Sequence, residues 1–132
     1  MNDENVKLLV ELERTLREAT SPTLLRPNLA KFARIAELAG VKPVIPHELL
    51  KMLQSVLAAS KHPKTQLLVL ELLEYLTCNC GPVMHSQLNS LACIRALQAL
   101  WNQPDLAVAV REKIAFLARF WTDFFNEKSD IF

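Results

Sequence analysis

The stretch from His62 to His85, HPKTQLLVLELLEYLTCNCGPVMH, constrains the fold more than any other part of the chain. Pro63 opens it, apolar residues then fall on nearly every side of a helix, and Asn79-Cys80-Gly81 ends it. A helix that is apolar on most of its sides is stable in water only when other helices surround it. The stretch therefore predicts the central helix of a helical stack.

Prolines, glycines and apolar spacing divide the remaining sequence into further helices. Apolar positions recur at i, i+3 and i+4, which is typical of amphipathic helices, and sustained period-two alternation is absent. Because the connections are short, consecutive helices are expected to be neighbours. We predict an all-α fold, a right-angled or superhelical stack of six to eight helices, with one domain over residues 1–128 and a short tail over 129–132. The predicted helices run from Asp3 to Glu18, Pro27 to Gly40 (a left-handed cap), Pro46 to Ala59, Pro63 to Gly81, Gln87 to Trp101, and Pro104 or Asp105 through Phe125.

Cysteine usage and the N-terminal sequence indicate a reducing compartment. The three cysteines, Cys78, Cys80 and Cys93, are odd in number, and their spacing fits no disulfide framework. The first residues are acidic where a signal peptide is basic. No charge-free helical stretch approaches the ~20 residues of a membrane span. We therefore expect a cytoplasmic protein.

The charges are spread evenly along the chain, with a net charge of +1. Nucleic-acid binders and proteins that bind strongly anionic membranes usually show a basic stripe, and no block of like charge occurs here. The sequence thus disfavours a nucleic-acid partner. Folding can still bring basic side chains from separate helices together, so a basic patch stays open as an alternative.

Candidate catalytic and metal-binding residues are few. His47 and His62 each lie beside a proline at a predicted helix entrance, where a capping or solvated role is favoured. The C-x-C pair of Cys78 and Cys80 lacks the second pair that a structural zinc site needs. A helix C-terminus also disfavours a reactive thiolate, so we interpret these cysteines as buried structural thiols. We expect no enzymatic activity, no cofactor and no metal site.

One stripe of the fourth predicted helix is expected to face water. Lys64, Leu68, Glu71, Tyr75 and Cys78 fall on the same side, and two of them are charged. Leu68 and Tyr75 would then be apolar groups on a partly solvated surface. Either a neighbouring helix covers them or they form a small docking face.

Three segments in fixed order resemble the VHS domain family, over about residues 5–125. The central helix and its exit turn carry the apolar run, the N-C-G turn and a following histidine, and the flanking segments carry the family's A-T and V-x-x-K-I…W patterns. The matching segments are His62-Pro63…Leu70…Leu72-Leu73…Asn79-Cys80-Gly81…Met84-His85, Glu18-Ala19-Thr20-Ser21, and Val110-Arg111-Glu112-Lys113-Ile114…Trp121.

The resemblance implies a right-handed superhelix of up to eight helices, found at the N-termini of endosomal and Golgi sorting adaptors. It further implies a non-enzymatic recognition domain that is peripheral to endosome or Golgi membranes. The expected partners are ubiquitin, bound on the second and fourth helices, or the cytosolic tail of transmembrane cargo, bound between the sixth and eighth. We expect a monomeric domain.

The same resemblance implies candidate contact residues. Gapless matching from Ala19-Thr20 places Leu29 where the ubiquitin-binding branch has a tryptophan, and the fourth helix contributes Thr65 and Leu68. Packing of Leu29 into the core is the alternative. The cargo-peptide mode would use Arg95 and Gln98, but it also needs an eighth helix.

Three further alternatives remain. The segment from Leu72 to Leu76 is similar to ENTH domains, which bind phosphoinositides through a basic N-terminal helix, whereas this chain is acidic at Asp3 and Glu4. Polymerase-tail-interacting domains share the stack, but their peptide-binding arginines are not evident here. A helical scaffold without a small ligand is the third alternative; it would assemble through Trp121, Phe124 and Phe125, for which we favour core packing.

Overall fold

A computed structural model of the chain describes residues 2–129. Seven α-helices account for most of this part, and it contains no β-strand, in agreement with the predicted all-α class. The predicted tail lies outside the described residues except for Ser129, which ends the last helix. The helices are α1 (Asp3–Ala19), α2 (Leu29–Ala39), α3 (Ile45–Ala59), α4 (Pro63–Asn79), α5 (Pro82–Leu88), α6 (Leu91–Trp101) and α7 (Val108–Ser129).

Side-chain caps define where several helices begin. Asn2, Asn28 and Ser90 each accept a hydrogen bond from a backbone N–H of the first turn of α1, α2 and α6. At the start of α4, His62 Nδ1 accepts from the backbone N–H of Lys64 at 3.2 Å. Each cap satisfies a donor that the helix itself leaves unpaired. The capping role predicted for His62 is confirmed, and His47 is exposed at the start of α3.

The core lies around α3 and α4. As predicted, α4 is central, since it contacts α2, α3, α5 and α7. The sequence did not show that α3 shares this position by contacting α1, α2, α4, α5 and α6. Each helix also contacts the next one in the chain, so the stack grows by consecutive neighbours. In residues 2–129, no helix combines the length and apolar character required to cross a membrane.

Three predicted boundaries are wrong. The helix predicted over 87–101 is two helices, because Ser90 caps α6 and Pro82 starts α5 rather than ending the helical region. The last helix begins at Val108, after a turn, and not at residue 104 or 105. Gly40 has φ −90° and ψ −7°, so the end of α2 is not left-handed.

Thr77 joins three helices at one end of the core. Its hydroxyl accepts a hydrogen bond from Trp121 Nε1 of α7 at 2.8 Å, and its carbonyl oxygen lies 2.8 Å from His85 Nε2 of α5. Because a carbonyl only accepts, His85 Nε2 is the donor. Trp121 is buried, as the prediction of core packing requires, and Phe124 and Phe125 are half-buried around the His85 ring.

Candidate binding surface

Leu29 is the first residue of α2 and is 63% exposed. The buried residues of α2 are Phe32, Ile35, Leu38 and Ala39, and Leu29 lies beside this face rather than within it. Core packing, the alternative interpretation from the sequence, therefore does not describe its position. An exposed leucine held on the first turn of a helix is available to a partner.

Thr65 is buried, with 7% of its surface exposed. Its hydroxyl donates to the backbone carbonyl oxygen of Thr20, which follows α1, at 2.8 Å. The bond joins the first turn of α4 to the end of α1, 45 residues earlier. Thr65 therefore fixes the position of α4 beneath the surface, and its hydroxyl is already occupied.

Leu68 is only 3% exposed, which agrees with the alternative that a neighbouring helix covers it and not with the alternative of an exposed docking face. Leu68 and Tyr75 are seven residues apart and share a helix face, and the Tyr75 ring contacts that of Phe32 on α2, with centroids 5.7 Å apart. Leu68 thus lies on the side of α4 that α2 covers. The neighbouring Leu67 is the half-buried leucine of this turn.

The side of α2 that carries Leu29 continues with small side chains. Ala33 and Ala36 follow Leu29 at i+4 and i+7, so the three share one side of α2, and both alanines are half-buried. On α4, Lys64 and Tyr75 are half-buried and lie three turns apart on one face. We call these five residues the α2–α4 surface.

Ion pairs on the other side of α2 connect it to α1. Arg34 Nε and one terminal nitrogen bind the two carboxylate oxygens of Glu11 at 2.7 and 3.0 Å, and its other terminal nitrogen binds Glu37 at 2.9 Å. The hydrogen bond from Arg34 lowers the pKa of Glu11, and both carboxylates raise the pKa of Arg34. Lys31 pairs with Glu18 at 3.3 Å. These charges hold α1 against α2 and point away from the α2–α4 surface.

The acidic residues of α4 are paired with α7. Lys113 Nζ lies 3.5 Å from a Glu71 carboxylate oxygen and also bonds Glu74. The same ammonium group lies 4.7 Å from the centre of the Phe116 ring. Glu71 therefore reaches toward α7, which leaves Lys64 as the charged group of the α2–α4 surface.

The three cysteines differ in their exposure to solvent. Cys78 is exposed near the C-terminal end of α4, which corrects its interpretation as a buried thiol. Burial raises the pKa of the Cys80 thiol, and raises that of Cys93 to about 12. Across residues 2–129, no three His, Cys, Asp or Glu side chains gather where they could hold a metal ion.

A second, apolar groove lies between α6 and α7. Its open volume is about 600 Å³, and its lining carries no charged side chain. Gln98 lies in its wall, whereas Arg95 lies outside it. The lining residues include Ile94, Leu97, Trp101, Ile114, Trp121 and Phe125.

Part of the α2–α4 surface could not be predicted from the sequence. Ala33 and Ala36 lie at helical spacing from Leu29, a signal that the sequence contains, but alanines carry no chemistry that marks them as a site. Leu25, 94% exposed between α1 and α2, was also missed. Its position between Pro22 and Pro27 could have indicated an apolar residue held outside a helix.

The chain is similar in sequence to members of one known protein family. The model of the family described as the VHS domain matches residues 7–131. The chain is 30% identical over 112 residues to TOM1-like protein 9 of Arabidopsis thaliana, which covers 84% of this chain and 16% of that protein. It is 36% identical over 73 residues to the class E vacuolar protein-sorting machinery protein hse1 of Neurospora crassa, covering 55% of this chain and 10% of that protein. The chain spans less than a fifth of the length of these relatives.

Proposed function

The chain belongs to the VHS domain family, and from this membership we propose that it is a non-enzymatic recognition module in endosomal protein sorting, whose α2–α4 surface binds ubiquitin. One relative is a class E vacuolar protein-sorting protein by name, which supports a role in sorting. Such a module acts on the cytoplasmic side of endosome or Golgi membranes as a peripheral protein. The single observation that carries the ubiquitin proposal is the exposure of Leu29 at the start of α2.

The shape of the surface suits a small apolar patch on a folded partner. The Leu29 side chain projects from the surface. The small side chains of the neighbouring alanines allow the backbone of a partner to approach closely. Thr65 and Leu68, the other two residues implicated by the resemblance, are buried and support the surface from below. One exposed leucine offers a small contact area, so we expect weak binding, with a Kd on the order of 0.1–1 mM.

Variants at Leu29 test the proposal through affinity. Leu29→Ala removes the projecting side chain and is expected to weaken ubiquitin binding several-fold, whereas Leu29→Trp adds aromatic area and is expected to strengthen it. Leu91→Ala is the matched control, because Leu91 is also the first residue of its helix and is 60% exposed. Equal ubiquitin affinities for the wild type and all three variants would contradict the proposal.

The α6–α7 groove supports a second candidate function, binding of a short cargo peptide. It is apolar, uncharged and large enough for two or three side chains. The family mode to which it is similar uses an eighth helix, and the described residues contain seven. Titration with an acidic dileucine peptide should shift NMR signals of Ile94 and Gln98 if the groove binds it; shifts confined to other residues would exclude this candidate.

Lipid binding through the N-terminal helix receives no support. Asp3 and Glu4 occupy the first turn of α1, Lys7 is the nearest basic residue along the sequence, and Lys42 Nζ is already paired with Glu4 at 3.4 Å. An ENTH-like contact with phosphoinositides needs a basic face at this position. The alternative of a ligand-free scaffold predicts instead that neither ubiquitin nor the dileucine peptide binds.

A further inference from the structure

Gln66 is a polar side chain that is buried near the start of α4, with 2% of its surface exposed. Its Nε2 lies 3.2 Å from the backbone carbonyl oxygen of Ser60 and 3.2 Å from Oε1 of Gln103. Because the Ser60 carbonyl only accepts, this side of the amide is the NH2 group, and its two N–H groups serve these two acceptors. Within residues 2–129, Gln66 Oε1 has no hydrogen-bond partner. A buried acceptor that lacks a partner requires an explanation.

Gln103 carries the complementary unused group. Its backbone carbonyl oxygen accepts from Arg111 Nη2 at 3.1 Å, which fixes the residue in the turn between α6 and α7. Since Gln103 Oε1 accepts from Gln66, its Nε2 points away from that bond, and in the described part of the chain this NH2 group has no partner. The two amides therefore leave one acceptor, Gln66 Oε1, and one donor, Gln103 Nε2, unused.

Both glutamines line the same cavity, between the start of α4 and the turn before α7. Its open volume is about 330 Å³, at the lower end of the volumes found for small-ligand sites. Both N–H groups of Gln66 are bonded to protein, so its oxygen is the group left for this cavity. The other lining residues are two of opposite charge and four apolar ones: Lys61, Asp105, Pro63, Pro104, Leu106 and Ala107.

The charges of the cavity oppose each other. Lys61 and Asp105 are both exposed, and neither forms an ion pair within the residues that the structure describes. An anion would meet the Asp105 carboxylate as well as the Lys61 ammonium group, so the cavity does not favour one. An uncharged peptide meets no such conflict. In an extended peptide, the N–H and C=O of one residue point to the same side, which matches one unused acceptor beside one unused donor.

We propose that this cavity binds a short, uncharged peptide segment through the main chain of one residue. The peptide N–H donates to Gln66 Oε1, and the peptide carbonyl accepts from Gln103 Nε2. The apolar lining residues contact the small side chains of the segment. The cavity shares no residue with the α2–α4 surface or with the α6–α7 groove, so the site does not depend on the proposed ubiquitin contact.

NMR titration of isotope-labelled protein tests the proposal, because the side-chain NH2 groups of Gln66 and Gln103 give signals of their own. The probe is acetyl-Ala-Ala-NH2, a blocked dipeptide without charge. From the affinity typical for each non-hydrogen atom of a small ligand, we expect a Kd on the order of 1 mM and saturable shifts at both glutamines. The same compound with N-methylated amides has no N–H to donate and should bind about tenfold more weakly.

Gln103→Glu removes the free donor and keeps the bond to Gln66, since a carboxylate still accepts from Gln66 Nε2. The blocked dipeptide should bind this variant about tenfold more weakly. Gln87→Glu is the matched control: it adds the same charge at a half-buried glutamine of α5 outside the cavity and should leave the affinity unchanged. Gln66→Leu removes the acceptor and should abolish saturable binding, with urea denaturation as the check that this variant folds.

Equal affinity of the wild type and Gln103→Glu for the dipeptide would overturn the proposal. It would also be overturned if both glutamines showed no shift at about 10 mM dipeptide, tenfold above the expected Kd, since the cavity would then bind water alone. Shifts caused by inorganic phosphate and not by the dipeptide would identify an anion site instead. Gln103→Glu should bind ubiquitin as the wild type does, so failure of the peptide site and failure of the proposed function are distinguishable.

Discussion

Trp121 Nε1 donates a hydrogen bond to the hydroxyl of Thr77 at 2.8 Å, and both side chains are buried. The same hydroxyl donates to the carbonyl of Leu73, one turn earlier in α4. One threonine thus satisfies a buried indole N–H while it keeps its own proton bonded. The pair connects the central helix to α7.

Thr77→Val tests how much the hydrogen bond between Trp121 and Thr77 contributes to stability. Valine has nearly the same shape but no oxygen, so the buried indole N–H of Trp121 loses its acceptor. We expect the free energy of unfolding to fall by about 1–3 kcal/mol. Thr77→Ser keeps the hydroxyl and is the control for the lost bond. Equal stability of the valine variant and the wild type in urea denaturation would contradict the assigned role.

Leu68→Ala tests whether this residue supports the surface or contacts a ligand. Because Leu68 is buried against the α2 side of α4, its truncation should leave a cavity and cost about 2–5 kcal/mol. Leu29→Ala, at an exposed position, should change stability by less than about 0.5 kcal/mol. Denaturation of the two variants provides the comparison. A small loss for Leu68→Ala would show that this leucine is more exposed than the structure indicates.

The three thiols should react with an alkylating reagent in the order of their exposure. At pH 8, Cys78 is expected to react rapidly, Cys80 more slowly, and Cys93 only after unfolding, because burial raises the pKa of Cys93 to about 12. Mass spectrometry of peptides after timed alkylation measures this order. Rapid alkylation of Cys93 in the folded protein would contradict its placement in the core.

Glu11→Gln should lower stability at neutral pH and lose its effect in acid. Arg34 holds the pKa of Glu11 below its ordinary value, so the pair stabilises the fold above the ordinary carboxyl pKa of about 4.3. This contribution disappears as pH falls through the lowered pKa of the folded state. Unfolding free energies of the wild type and the variant should therefore differ at pH 7 and converge once the pH falls below the lowered pKa of Glu11. Glu112→Gln, at an exposed position, is the control, and a pH-independent difference for Glu11→Gln would refute the linkage.

The central position of α4 could be predicted because its apolar residues exclude almost every solvated orientation. The burial of Leu68 could not be predicted, because Lys64 and Glu71 on the same side of the helix indicated a side that faces water. Glu71 instead extends to Lys113 of α7, so its charge marks a contact between helices. Long charged side chains reach several ångströms from their own helix, and the sequence does not tell whether they meet water or a partner.

The exposure of Leu29 illustrates a second limit. Leu29 lies at the edge of the apolar face of α2, where helix packing decides whether a side chain is exposed.

Chemical-shift mapping with ubiquitin tests the central proposal most directly. Labelled protein is titrated with unlabelled mono-ubiquitin up to about 1 mM, near the weakest affinity expected for so small a contact. The predicted result is a saturable set of shifts centred on Leu29, Ala33 and Lys64, reduced in Leu29→Ala and retained in Leu91→Ala. Absence of shifts on α2 and α4 at the highest ubiquitin concentration would contradict the proposed function.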